Sequence, residues 1–444
     1  MKVDVSIGEA IDKLSILELK MKKITDETKK IEIQKEINVL TCCQEYKTKY
    51  DFYFNLLMYV NEKIWDMTDI IKSISVDDIQ FPHISNQIFE FNQKRFRIKN
   101  WFNLLTDSNI KEQKSYSSSH CKIIVDNEDV FFDKLTEINY LSIQYDILTF
   151  ESPIIYTIQH FLKIPTITYD EEQIKLLNNP TVIYLTDFSI PTNETTTEVF
   201  SLKPITYICG GFLGDFIQSL SVICENFYET GRKGILYISN HREAFKYSIE
   251  DTYNDLYPVI IRQKYIQHFK IYNNEPFEVD LSLWRDSNLL FKQNWYYIYK
   301  NTYNIEWGKR KWLNDINYDD KWKDKIIINT TSYRFPFNID FNLLYKLYSV
   351  NLIFISSNKN EYHYFEQNTK LSMEYYEFKD FSDLITIINS CKLFIGSLSA
   401  PLSVAHALHK PRICGLTIIG NNAIDNIHNI NLYEFLPNIT YSVV

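Results

Sequence analysis

Hydrophobic positions change their period twice along the chain. From Ser6 to about residue 118 they recur at helical spacing. Ile7, Ile11, Leu14, Leu17, Met21 and Ile24 form one stripe, which Ile33, Ile37 and Leu40 extend, with charged residues between them. Ser6 and Glu9 stand at capping-box spacing ahead of that stripe. Gly8 and Pro82 are this block's only breakers, so it reads as a helical bundle or hairpin. Ser117, Ser118 and Ser119 mark a boundary, and short apolar runs then alternate with helical stretches. Strands are expected at Lys122–Val125, Ile147–Phe150, Thr166–Tyr169 and Val182–Leu185, with helices over 129–144 and 153–162. A polar stretch, Thr192 to Glu198, reads as a linker.

From about residue 201 the runs are those of buried parallel strands: Ile205–Cys209, Ile235–Ile238, Ile326–Ile328, Leu352–Ile355 and Leu393–Ile395. Helices are expected over 215–227 and 381–390, and the charged, Trp-rich stretch 307–325 reads as a separator. The expected architecture is α/β. A helical domain (1–118) precedes a small α/β domain (119–200), and two Rossmann-like domains follow (201–315 and 316–444).

Length and composition narrow the classes. A chain of 444 residues with 45% apolar and 23% charged side chains buries real cores and is not disordered. The formal charge of -9 is a poor match for nucleic acid or an anionic membrane surface. The 32 Tyr and 29 Phe read as coding bias. Seven scattered cysteines give no disulfide framework, and no apolar run reaches the ~18 residues of a membrane span. The start, Met-Lys-Val-Asp-Val-Ser, lacks the apolar core of a signal peptide, so a cytoplasmic location is expected.

With only ten glycines, their placement is informative. Gly210, Gly211 and Gly214 fall within five residues after the strand 205–209. Glycine there permits positive φ and close backbone approach, and the helix beyond can receive an anion. The loop lacks dinucleotide-fingerprint and phosphate-loop spacing. Asp215 follows it, either as a first-turn carboxylate that complements the helix dipole or as a functional carboxylate at the carboxyl end of a parallel strand. A second small-residue turn, Gly396-Ser397-Leu398-Ser399-Ala400-Pro401, runs into the helix 402–408. Its serines are out of register for a hydrolase elbow. Asp126-Asn127-Glu128-Asp129 has the look of an acidic metal motif but reads better as an N-cap with an acidic first turn. His406, His409 and Cys414 lack a fourth ligand for zinc, and no metal site is expected.

These turns resemble those of GT-B glycosyltransferases, specifically the lipopolysaccharide heptosyltransferase-like family. The resemblance covers about 203–425. It rests on Gly214-Asp215-Phe216-Ile217-Gln218-Ser219, on Asn329-Thr330-Thr331-Ser332-Tyr333-Arg334-Phe335-Pro336, and on Ile395 through Pro411. In that last loop Leu398, Ala400 and Ser403 stand where the family has Asp, Gly and His. These departures point either to a different donor or to lost activity.

The resemblance implies metal-independent, inverting transfer of a sugar from a nucleotide-sugar, with no further cofactor, to a glycan or other hydroxyl acceptor. Asp215 would be the base. Thr330, Thr331 and Arg334, with backbone around Ser399, Ala400 and Ser403, would face the leaving diphosphate. Arg334 alternatively reads as a solvated loop charge. Glu361 would face a ribose or simply be a surface residue. Residues 6–20, 61–66 and 112–116 resemble an uncharacterised bacterial helical domain, with oligomer formation as one expected role. The alternatives to catalysis are a nucleotide- or glycan-binding protein on a degraded scaffold, or an assembly protein.

Overall fold

The computed structural model describes residues 4–415 except 111–118, 176, 178, 192–196, 291, 292, 294, 337 and 338. The chain divides into two compact units, Met1–Lys203 and Pro204–Val444. The Glu112–Tyr116 motif, most of the polar stretch 192–198 and everything after Gly415 lie outside the described residues.

The first unit opens with α1 (Ile7–Lys23), α2 (Glu27–Val39), α3 (Gln44–Lys49), α4 (Asp51–Ser73) and α5 (Phe81–Leu105). The Ser6 side chain accepts from Glu9 N and starts α1, whose Ile11, Leu14 and Leu17 are buried. There follow β1 (His120–Ile124), α6 (Glu128–Asp133), α7 (Leu135–Gln144), β2 (Ile147–Glu151), α8 (Ile155–Phe161), α9 (Glu171–Lys175) and β3 (Thr181–Tyr184). The three strands form a parallel sheet in the order β2-β1-β3. Two expectations are corrected here. The helix over 129–144 is two helices broken at Lys134, which lies at φ -109, ψ 20. Thr166–Tyr169 is no strand and contributes only an isolated bridge from Ile167 to Leu148. Asn127 caps α6 by accepting from Val130 N, so the acidic run is a helix start.

The second unit holds two parallel sheets. The first contains β4 (Ile205–Cys209), α10 (Leu213–Thr230), β5 (Gly234–Ile238), α11 (Ile249–Ile260), β6 (Ile266–Ile271), β7 (Val279–Asp280) and α12 (Trp295–Tyr303), with strand order β6-β5-β4-β7. The second contains β8 (Ile326–Asn329), α13 (Phe341–Tyr348), β9 (Leu352–Ser356), α14 (Lys359–Thr369), β10 (Glu374–Glu377), α15 (Phe381–Ser390), β11 (Leu393–Ser397), α16 (Ala400–Ala407) and β12 (Arg412–Gly415), in the order β10-β9-β8-β11-β12. Every residue of β8 and β9 is buried, as expected of strands covered on both faces. Ile326, Ile328, Phe341, Leu352, Phe354, Phe365 and Ile395 form one core there.

Strand order reverses direction once in each sheet, between β4 and β7 and between β8 and β11. Ligand crevices of parallel α/β sheets open at such reversals, outside the carboxyl ends of the strands. In the Trp-rich stretch, Trp307, Trp312 and Trp322 are all buried. The Trp307 and Trp312 indoles donate to Gln218 O and Ile217 O of α10, and Trp312 N donates to Ala407 O of α16. The stretch thus links a helix of each sheet.

Candidate functional site

The glycine loop leaves the carboxyl end of β4, at the reversal of the first sheet. Asp215 sits in the first turn of α10, whose N-terminus no side chain caps. Its Oδ2 accepts from Arg285 Nη2 at 2.7 Å. Arg285 comes from the turn directly after β7, across the reversal. The Asp215 side chain keeps 25% of its surface open although protein surrounds it on most sides. Burial raises its pKa above the usual carboxylate value. The Arg285 and Arg334 charges oppose the rise, and Glu243 adds to it.

The three glycines serve different neighbours. A Cβ on Gly210 would stand 2.5 Å from His241 O, and one on Gly211 would stand 2.4 Å from Arg285 Nη2. Gly214 alone faces the second sheet, 3.2 Å from Ser403 Oγ and 3.5 Å from Ala400. The loop is braced from behind: Gly211 N donates to Glu243 O, and Gly210 N to Ser282 Oγ. Asp280 holds His241 and Arg242 on its two oxygens.

The second group of expected residues occupies the reversal of the other sheet. Ser397 ends β11, and Ser399 starts α16 without a side-chain cap. Ser399 Oγ donates to Ser397 O, leaving the first turn of α16 uncapped. Across the reversal, Arg334 Nη1 donates to Leu398 O, and Thr331 N donates to Ser397 Oγ at 3.3 Å. Thr330 is buried. Thr331 is half-buried, and its Oγ1 has no partner among the described residues. Glu361 is half-buried, and its carboxylate accepts from Ser332 N at 2.5 Å and from Ser332 Oγ at 3.4 Å, bracing the 330–334 turn.

Ser403 joins the two sheets by accepting from Gln218 Nε2 of α10 at 3.2 Å. The uncapped N-terminal turns of α10 and α16 therefore meet at Gly214, with Asp215, Arg285 and Arg334 in one electrostatic neighbourhood. Sequence reasoning missed Arg285 and Gln218. Gln218 lay inside a quoted motif, but no role was assigned to it. Among the described residues, no His, Cys, Asp or Glu cluster has the arrangement of a metal site. Among those residues, too, no helix is long and apolar enough to cross a membrane.

Residues 1–127 match a family of unknown function (DUF6165). No curated protein matches the chain. Several solved structures resemble it in fold. One is a glycosyl transferase family 9 protein from Veillonella parvula, at 10% identity over 55% of this chain and 88% of that one, TM-score 0.36. Another is the dodecameric iron-containing heptosyltransferase TibC of enterotoxigenic E. coli in complex with ADP-D-beta-D-heptose, at 11% identity over 54% and 65%, TM-score 0.38. A third is E. coli ADP-heptose lps heptosyltransferase II, at 10% identity over 73% and 90%, TM-score 0.25.

Proposed function

We propose that the second unit is a glycosyltransferase of the GT-B type. It would move a sugar from a nucleotide-sugar to a hydroxyl acceptor, such as a glycan, with inversion at the anomeric carbon. One observation carries this reading: both sheet reversals bring their loops together, one with a carboxylate and each with an arginine. Asp215 takes the acceptor's hydroxyl proton. The acceptor oxygen forms its bond to the anomeric carbon as the bond to the diphosphate oxygen breaks, and the electron pair leaves with the diphosphate. Arg334 and the uncapped first turn of α16 stabilise that developing charge, a role that cations and helix N-termini fill without a metal. Thr331 Oγ1, buried and without a partner among the described residues, is a further donor on the same loop.

A panel of nucleotide-sugars tests donor binding by thermal shift, since a ligand of the folded state raises its stability. Asp215→Asn is expected to keep that shift and to lower turnover by ~10²–10⁴, the scale of a general base. Turnover at the wild-type rate in Asp215→Asn would remove the base assignment. A second reading, binding without transfer, is favoured by buried Leu398 in the loop, where the resemblance expects a carboxylate. A clear shift with no turnover in any form would select it.

A further inference from the structure

We infer that Arg285 is a positioning residue for the transfer: it holds one oxygen of Asp215 so that the other is presented to the acceptor hydroxyl. This rests on the reading above. Arg285 Nη2 donates to Oδ2, and among the described residues no donor reaches Oδ1. A carboxylate tethered through one oxygen has its second lone-pair set in a fixed direction, which is what a general base within reach of one hydroxyl requires.

The arginine is itself held. Its guanidinium lies over the Trp284 ring at 4.3 Å. Trp284 packs edge-on against Trp295 at 4.6 Å and stacks on Tyr299, and all three rings are buried. The Arg285 side chain is only 15% exposed. On its other side lies Gly211, at φ +87, where a Cβ would stand 2.4 Å from Nη2. The loop glycine thus makes room for a protein cation rather than for a ligand. The shelf comes from residues 284–299, and the glycine and carboxylate from the loop and first turn of α10; both segments fit one guanidinium.

The charge matters as much as the geometry. Arg285, Arg334 and Glu243 face Asp215, and Cys209 and Tyr299 also lie within its field. Burial disfavours the ionised carboxylate, and Arg285 is the foremost opposing charge. Loss of an adjacent cation raises a carboxylate pKa by about 1–3 units.

The test uses full-length protein carrying 13C-labelled aspartate, with Asp215→Asn to assign the resonance. Arg285→Ala and Arg285→Gln are expected to move the Asp215 carboxyl titration upward by ~1 pH unit or more. Arg285→Lys, which keeps the charge, should hold it near wild type. The acid limb of the pH–rate profile should move with it, with kcat falling more than KM rises. Partial recovery of kcat in Arg285→Lys is expected. An unchanged Asp215 titration in Arg285→Gln would overturn the inference, as would a uniform loss of rate with no displacement of the profile. The carboxyl titration needs no turnover. A displaced titration in a protein that transfers no sugar would support the hold of Arg285 on Asp215 and refute the proposed transfer.

Discussion

Gly211→Ala is the sharpest structural perturbation available at this site. Its φ of +87 lies in the left-handed region, where an L side chain costs ~1–2 kcal/mol. The new Cβ would also sit 2.4 Å from Arg285 Nη2 and 3.2 Å from Glu243 Cβ. The first of these atoms is the far end of a long side chain, so the clash is relieved when Arg285 swings away. That movement breaks its bond to Asp215, and hydrogen bonds to charged groups contribute about 1.5–3 kcal/mol. The second loss is capped, because Asp215 can take up a proton once its partner has gone. The total expected is about 2–4 kcal/mol. Gly214→Ala is the control. Its φ is not positive, and the nearest contacts are 3.2 Å to Ser403 Oγ and 3.5 Å to Ala400. Replacing a helical glycine by alanine gains about 0.5–1 kcal/mol, roughly offsetting the tight approach to Ser403.

Urea unfolding followed by tryptophan fluorescence measures both variants. Trp284, Trp295, Trp307, Trp312 and Trp322 all lie in the second unit, so the signal reports mainly on it. A Gly211→Ala midpoint equal to wild type, or a larger loss in Gly214→Ala, would refute the reasoning.

Further outcomes are expected elsewhere in the chain. His406 is fully buried, and burial, Arg412 and His409 hold its pKa well below the usual value. The unfolded chain therefore takes up that proton first. The stability associated with keeping His406 neutral is complete above pH ~6.5 and falls as pH drops below it. Melting temperatures between pH 7.5 and 5 should decline in wild type and decline less in His406→Leu. Asp12→Ala removes the anion that pairs with Arg95 and accepts from Asn61 in the helical segment. Breaking such a buried pair costs about 3–5 kcal/mol, read by urea unfolding with circular dichroism. Arg334→Ala is expected to weaken nucleoside-diphosphate binding by roughly 1.5–3 kcal/mol in a calorimetric titration, with unchanged affinity removing it from the site.

The central strands were legible because parallel strands covered on both faces need uninterrupted apolar runs, and Ile326–Ile328 and Leu352–Ile355 supply them. The two loops were legible because glycine and other small residues directly follow an apolar strand run at each turn. Arg285 was not. It lies 70 residues from Asp215, and what joins them is the placing of β7 beside β4, which no local pattern encodes. Being only Val279–Asp280, β7 is too short to leave a period. The inward packing of the stretch 307–325 was hidden for a related reason. Lys309, Arg310 and Lys311 give it the texture of a solvated linker, while Trp307 and Trp312 are drawn inward by carbonyls of α10.

The N-terminal motif was legible as a pattern without a cause, and the structure supplies one. Ser6 caps α1, and Gly8 N donates to Asn103 Oδ1 of α5. Asp12 pairs with Arg95 of α5, and Asn61 of α4 donates to both Asp12 and Ser15. Asp12, Ser15 and Asn61 are each at most 5% exposed. A buried carboxylate is tolerated only when donors surround it, so these residue types have to occur together. Much of the motif therefore encodes the joining of three helices. A partner of the helical segment would have to read its outward-facing residues, not the buried ones by which the pattern is recognised.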